Sequence, residues 1–384
     1  MSAVHTGWRT EEHALFQNSV RRFFAEHVAP NEEAWSERGA VDRNLWKLAG
    51  EAGLMGSGIP EDFGGYGGDY GFDAIVLEEQ GRACALGWGF IVQTIVKHYI
   101  VQYGLDWQKS RWLPELVTGE LIPAIAMTEP GTGSDLKAIR TRAVKHGDDY
   151  VINGSKIFIS NGQLANFIVL VARTSDDQGS KSISLIGLET DELAGFKRGK
   201  NLDKLGMKAQ DTSELFFEDV RVPAENLLGA EEGQGFYQLM KQLPWERLCL
   251  AFWALGSCDA VLEQTLGYVS DRRAFGQRIM DFQNSRFKLA ECKTKIEVTR
   301  AFVDQCMMRA NVSELSASEA SMAKWWSTEV QGQVVDECLQ LHGGYGYMNE
   351  YPVARFYADA RVQRIYGGTT EIMKELIARE LDPG

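Results

Sequence analysis

The sequence predicts an α+β protein in three segments: an N-terminal α-helical domain over residues 1–121, a small β-barrel or sandwich domain over 122–232, and a C-terminal α-helical bundle over 233–384. Apolar residues recur at helical spacing through the first third. Near Leu121 the texture changes to short β-branched runs broken by turn residues, and from about Gly233 long helical periods return. A chain of 384 residues also exceeds one compact core, so two or three packed units are expected.

Thr10, followed by Glu11 and Glu12, predicts a capped helix over residues 11–28, ended by Pro30. Leu15, Phe16, Val20, Phe23, Phe24 and Val28 form its apolar stripe. Residues 44–52, 73–84 and about 89–117 continue in helical style, with the turn Gly64-Gly65-Tyr66-Gly67-Gly68 between the first two. Strands are expected at 150–154, 156–160, 165–172, 182–188 and 213–222. Residues 282–308 and 317–341 read as long helices, the second closed by Gly343-Gly344. The last helix, 371–381, carries Ile372, Leu376 and Ile377 on one face.

Composition narrows the function. A net charge of −13 disfavours a nucleic-acid partner, which needs clustered Lys and Arg. No apolar run reaches the roughly 18–20 residues that span a bilayer, so no membrane association is expected. The start Met1-Ser2-Ala3-Val4-His5 lacks a charged-then-apolar secretion signal, which fits a bacterial cytoplasm or a processed mitochondrial-matrix protein. The six cysteines form no CxxC pair and read as buried thiols in helices. The six histidines show no HExxH-type spacing, so no metal site is expected.

The most informative stretch is Ala126-Met127-Thr128-Glu129-Pro130-Gly131-Thr132-Gly133-Ser134-Asp135, a tight turn with exposed amides flanked by hydroxyls and carboxylates. Such amides bind anionic oxygens without a side-chain charge, although a plain hairpin turn fits equally well. At strand spacing follows Lys156-Ile157-Phe158-Ile159-Ser160-Asn161-Gly162, an aromatic platform beside a hydroxyl. Then come Arg272-Arg273-Ala274-Phe275-Gly276, Gln340-Leu341-His342-Gly343-Gly344-Tyr345-Gly346 and Ile365-Tyr366-Gly367-Gly368-Thr369-Thr370-Glu371. In this order the set resembles the acyl-CoA dehydrogenase family over essentially the whole chain, with residues 367–376 most similar to its long-chain branch.

That resemblance implies an FAD enzyme that desaturates an acyl-CoA thioester between its α and β carbons, assembled as a homotetramer (a dimer of dimers) and passing electrons to an electron-transfer flavoprotein. By the same resemblance Met127 to Ser134 contact the flavin, with Thr128 near its N1 and O2 edge, Gly133 in the loop, and Ser134 also reaching the CoA portion of substrate. Phe158 and Ser160 match the positions that cover the flavin and bond near N5, where the family usually has Trp and Thr. Phe keeps the stacking face without the indole N–H, and Ser keeps the hydroxyl. Arg272, Gln283, Gln340, Gly343 and Gly344 match residues that reach the FAD of a neighbouring subunit, where a guanidinium suits a pyrophosphate. Thr369 and Glu371 match further FAD contacts, although Glu371 also suits a first-turn acid.

Desaturation needs a carboxylate base in a dry pocket. Most of the family carries it immediately before the Gly-Thr of the late motif, where this sequence has Gly367. The long-chain and isovaleryl branches lack that acid and use one from an earlier helix, matched here by Leu243-Pro244-Trp245-Glu246-Arg247-Leu248. The resemblance therefore points to Glu246 as the base, with hydride passing from the β carbon to flavin N5. Gly367 supplies a backbone N–H to the thioester carbonyl, and Tyr366 and Arg247 border the substrate. Taken by itself, Glu246 reads as an exposed first-turn acid of a helix starting near Pro244. Two rival functions remain open: a flavin oxidase or monooxygenase on the same fold, and a non-catalytic acyl-CoA-binding scaffold. Pocket depth depends on residues 90–101, whose orientation the sequence does not give, so a medium, long or branched acyl chain fits.

Overall fold

Local signals decide where the chain turns helical, and tertiary contacts decide where it bends. The computed structural model describes residues 7–177 and 179–381, so the N-terminal residues Met1 to His5 lie outside the described residues. Thr10 caps α1 (Glu11–Phe23), its side chain accepting from the His13 amide. The chain then runs through a π-turn at Phe24–Val28 and a 3-10 turn at Ala29–Asn31 into α2 (Glu32–Arg38). Pro30 stands in the first turn of that 3-10 segment, where a missing N–H costs nothing, so it redirects the helix and does not end it. Val20, Phe23, Phe24 and Val28 are buried as expected, but Leu15 is 64% exposed. His13, not Leu15, lies on the Val20 side of the helix, and its ring is buried against Phe72.

α3 (Arg43–Glu51), α4 (Tyr70–Arg82), α5 (Phe90–Tyr103) and α6 (Asp106–Thr118) complete the first segment. The predicted continuous run over 89–117 is two helices, because Gly104 takes extended backbone between them. Cys84 lies past the end of α4 with φ +50°, not within a helix. All six cysteines are buried and unpaired by disulfides.

The predicted β domain is one curled, seven-stranded sheet: β1 (Pro123–Ala126), β2 (Arg142–His146), β3 (Asp149–Ser160), β4 (Phe167–Arg173), β5 (Ile183–Glu189), β6 (Phe196–Asn201) and β7 (Thr212–Pro223). The order is β1-β4-β2-β3-β7-β6, with β5 also on β4. β1 runs parallel to β4, while β2–β3, β3–β7, β4–β5 and β6–β7 are antiparallel. β4 is buried on both faces. Ile168, Leu170 and Ala172 enter the sheet's own core, and Phe167, Val169 and Val171 enter the helical core. The two runs expected at 150–154 and 156–160 are one strand, β3, bent where its register with β7 shifts.

The third segment opens with α7 (Gly235–Asp271), a helix that starts ten residues before Trp245 and carries Pro244 within it, so the expected start near Pro244 is corrected. A short hairpin, β8 (Arg273–Ala274) and β9 (Gln277–Arg278), leads to α8 (Gln283–Asn311), α9 (Ala317–His342), α10 (Pro352–Ala360) and α11 (Thr370–Leu381). In α11 Met373 is the buried residue, while Ile372, Leu376 and Ile377 are half-buried at the surface. No helix among the described residues is long and apolar enough to cross a membrane, and none of their His, Cys, Asp and Glu side chains cluster to hold a metal.

α7 is clasped between α4 and α9. Against α4 the approach is backbone to backbone: a Cβ on Gly81 would stand 2.3 Å from the Trp253 carbonyl oxygen, and one on Gly256 2.0 Å from that of Glu78. Gly256→Ala should therefore destabilise the fold by about 2 kcal/mol or more, against the ~1 kcal/mol that Ala normally contributes over Gly in a helix. Denaturant unfolding of the variant checks this, and an unchanged or raised midpoint would contradict it.

Candidate active site

Clasping α7 on both sides removes water from its middle. Residues 245–258 of this helix are all buried, and Glu246, 7% exposed, is the carboxylate among them. It is neither exposed nor in a first turn. Burial pushes its carboxyl up to about 7; a hydrogen bond from Tyr99 and the charge of Arg247 pull the other way. Tyr99, on α5 and itself fully buried, donates its O–H to Oε1 of Glu246 at 2.8 Å.

One turn beyond Glu246 on α7 is Leu250, and it meets the loop that carries Gly367. Gly367 has φ +64°, and a Cβ there would stand 2.7 Å from Leu250 Cδ1. Gly368, at φ +94°, would place a Cβ 2.5 Å from Met373 Cε. An acid at position 367 would thus be strained in backbone and crowded by the same helix face that bears Glu246. The loop is held from α9: Lys324, fully buried, donates Nζ to the Gly368 carbonyl at 2.6 Å. Burial pushes the Lys324 ammonium down to about 8, nearby Arg247 adds to this, and Glu371 opposes it. Arg247 is buried, bonds the Ser321 hydroxyl of α9 at 3.4 Å, and leaves its Nε without a partner. The Tyr366 hydroxyl and Thr370 Oγ1 are likewise buried and unpartnered. Orphaned donors on α7 and on the half-buried 366–370 loop favour a ligand that supplies acceptors.

The glycine-rich stretch forms a tight hairpin in which Glu129 and Thr132 exchange both backbone hydrogen bonds, at 2.9 and 3.0 Å, across Pro130-Gly131. Gly131 and Gly133 face open space, and Ser134 is exposed. Below it, Lys156 of β3, fully buried, donates to the Met127 carbonyl and to Glu129 Oε1, both at 2.9 Å. The Glu129 carboxylate also receives the amides of Arg140 and Thr141, at 2.6 and 2.9 Å. Ile157 donates its N–H to the Thr128 carbonyl at 3.0 Å, so the loop is stapled to β3 on its Met127–Glu129 side. A cavity of about 250 Å³ lies between Glu129–Thr132, Arg140, Thr141, Gly154 and Ser155. Beside this loop Phe158 takes φ +60°, unusual for an aromatic residue, and its ring is 63% exposed at the β3 bulge. Ser160, two residues on, is half-buried at the end of the strand.

Arg272, Gln340, Gly343 and Gly344 meet in a separate groove of about 710 Å³ at the ends of α7 and α9. Its floor is organised by Tyr268, stacked on His342 with ring centroids 4.3 Å apart, and Arg272 lies over the Tyr345 ring at 5.5 Å. Gln283, the exposed first residue of α8, does not line this groove. Thr369 precedes α11 and accepts from the Ile372 amide at 3.3 Å, while Glu371 is an exposed first-turn acid held below its ordinary value by backbone and Thr369 hydrogen bonds. Of the expected residues, the structure therefore gathers Glu246, Arg247, Tyr366 and Gly367 around α7, and Met127 to Ser134 with Phe158 and Ser160 at the sheet. The Arg272 set lines its own groove. Sequence reasoning missed Tyr99, Lys324, Lys156 and Glu129 as buried polar partners. For Lys324 the signal was present, a lone charge among Ala320, Ala323 and Ser327 on a helical period.

Comparison with known proteins places the fold. Models of the N-terminal, middle and C-terminal domains of acyl-CoA dehydrogenase match residues 10–120, 124–220 and 233–381 in that order. The long-chain specific acyl-CoA dehydrogenase of Rattus norvegicus mitochondria is 50% identical over 375 residues, covering 97% of this chain and 87% of that protein. The isovaleryl-CoA dehydrogenase of Oryza sativa subsp. japonica is 38% identical, over 95% of this chain and 90% of that one. Among solved structures, an acyl-CoA dehydrogenase from Geobacillus kaustophilus superposes with a TM-score of 0.94 at 45% identity, covering 98% of this chain and 99% of its own. A glutaryl-CoA dehydrogenase from Mycobacterium smegmatis, in complex with FADH2, gives 0.91 at 27% identity, covering 98% and 96%. Matching domains in sequence order over nearly the whole length make this chain a member of the acyl-CoA dehydrogenase family of oxidoreductases, close to its long-chain members.

Proposed function

We propose that this protein catalyses FAD-dependent α,β-dehydrogenation of a medium- or long-chain or branched acyl-CoA to the trans-2-enoyl-CoA, with Glu246 abstracting the α proton. The observation that carries the reading is a single carboxylate, buried in the middle of α7, raised to about 7, and one turn from the residue that meets Gly367. A base near neutrality combines sufficient basicity with sufficient ionised population at working pH. The Gly367 N–H is the donor to the thioester carbonyl, where enolate charge builds, and Lys324 fixes its loop through Gly368. Arg247, Tyr366 and Ser134 border the bound substrate. Identity to long-chain relatives supports a long acyl chain, and identity to an isovaleryl-CoA enzyme keeps a branched one in view.

The residues present fit a flavin. Phe158 offers an exposed aromatic face on strained backbone, Gly131 and Gly133 leave open space for a close backbone approach, and the Arg272 groove offers a guanidinium. Met127, Thr128, Gly133, Ser134, Phe158 and Ser160 would hold one end of FAD, and Thr369 and Glu371 would add contacts. Arg272, Gln283, Gln340, Gly343 and Gly344 would hold the FAD of a neighbouring subunit, which calls for at least a dimer, and the family resemblance extends this to a homotetramer. Bound FAD supplies the hydride acceptor, and an electron-transfer flavoprotein is the acceptor beyond it. Relatives from mitochondria and from Bacillus subtilis both match, consistent with either a mitochondrial matrix or a bacterial cytoplasm.

Glu246→Gln should keep FAD and acyl-CoA binding while lowering kcat by about 10²- to 10⁴-fold, read as anaerobic loss of visible flavin absorbance against a panel of acyl-CoAs. Near-wild-type turnover in that variant would reject the mechanism. Fast oxygen consumption by the wild type during turnover would favour an oxidase, and no turnover with any acyl-CoA a scaffold.

The pH dependence has a fixed sign. Because the base must be ionised, kcat/KM should rise with pH through about 7. Stability runs the other way: a carboxyl raised from 4.5 to about 7 binds its proton more tightly folded than unfolded, so its stabilising contribution is complete below pH 4.5 and lost as pH climbs through 7. Gln cannot ionise, so Glu246→Gln should gain about 3 kcal/mol over wild type at pH 8 relative to the same comparison at pH 4. Thermal unfolding at the two pH values measures it, and a pH-independent difference would refute the buried ionisation.

A further inference from the structure

We propose that Tyr99 is the positioning residue of the base, its phenol tethering one carboxylate oxygen of Glu246 so that the other alone faces substrate. The inference rests on the reading of Glu246 as the base and adds to it a residue that no motif marks. The Tyr99 O–H donates to Oε1 at 2.8 Å, and its ring is fully buried on α5, so the donor has little freedom to leave. Oε2 has no hydrogen-bond partner among the described residues. Nor is it among the sealed, unpartnered polar atoms, so the residual 7% exposure of Glu246 includes an opening at that oxygen. A carboxylate with two free oxygens would rotate among orientations, and one with donors on both oxygens would be a weaker base. One tethered and one open oxygen meets the geometric demand of proton abstraction.

Tyr99 is also held independently of Glu246. Its neighbours on α5, Thr94, Lys97 and His98, all bind the buried carboxylate of Asp73 on α4, with Lys97 Nζ at 2.7 Å and His98 Nε2 at 3.2 Å. The phenol is thus delivered by a helix fixed elsewhere. The charged and titratable groups that face Glu246 are Tyr99 from α5 and Arg247 and Cys249 from α7. Tyr103 lies behind Tyr99, the Asp73–Lys97 pair lies behind Cys249, and Lys324 of α9 faces Arg247. Of these, Tyr99 alone hydrogen-bonds the carboxylate. A donor to the ionised form opposes the effect of burial, so the tether also keeps the base ionised near neutral pH.

The test is the acidic limb of kcat/KM against pH in the FAD-loaded enzyme. Tyr99→Phe should move that limb upward by about half a pH unit or more and lower kcat more than it raises KM, with FAD content unchanged. Replacing Tyr99 with 3,5-difluorotyrosine, a stronger donor of nearly the same shape, should move the limb downward. Tyr103→Phe, whose hydroxyl faces Gln238 and Gln242 instead, should leave it in place. A limb that stays still with difluorotyrosine overturns the proposal, and this arm decides even where the Phe variant fails to fold. If Glu246→Gln is inactive but the Tyr99 variants leave the limb unmoved, only the tether is rejected. If Glu246→Gln retains wild-type turnover, the reading beneath it falls as well.

Discussion

Two glycines on crossing helices set the terms for the rest of the molecule. Gly81 on α4 and Gly256 on α7 let the two backbones touch, with no room for a Cβ on either side. Contact at that distance draws α7 into the centre of the helical core, where α9 covers its other side. An acid carried on the buried stretch 245–258 of such a helix loses its hydration, and the raised carboxyl of Glu246 follows from that burial. The raised carboxyl is thus a by-product of how tightly two helices pack some distance along the same rod.

Burying α7 this deeply would leave polar groups stranded if its neighbours did not supply partners. They do so by compact clusters. Asp73 is bonded by Ser57, Thr94, Lys97 and His98, so α4 and α5 are joined through a carboxylate whose oxygens are both satisfied. Lys156 and Glu129 do the same for the sheet and its glycine-rich turn. In both places a buried ion pair fixes the relative position of two elements, and residues proposed to face ligand ride on those elements. Such pairs contribute geometry more than net stability.

Much of this was legible in the sequence where a single periodicity dominates. The helical thirds and the β-branched middle are local patterns, whereas Gly367 and Glu246 were singled out through the family resemblance alone. What was hidden is set by partners distant in sequence. β2 and β6, with sequences Arg142-Ala143-Val144-Lys145-His146 and Phe196-Lys197-Arg198-Gly199-Lys200-Asn201, are too polar to read as strands and exist because β3 and β7 pair with them. Pro244 reads as a helix start, yet packing against α4 and α9 carries the helix through it. Tyr99 and Lys324 are ordinary residues until a helix from another segment brings Glu246 or Gly368 within bonding distance.

Phe158 shows what the proposed flavin surface demands of the chain that bears it. Its backbone sits in a left-handed conformation that disfavours any side chain, and its ring stands in water where burial would be favourable. By both criteria a glycine would suit the isolated fold better. Residues of this kind are where optimisation for thermal endurance and optimisation for ligand affinity diverge. An engineer who relaxes this strand to harden the protein would remove the exposed aromatic face at the β3 bulge on which the proposed flavin contact depends.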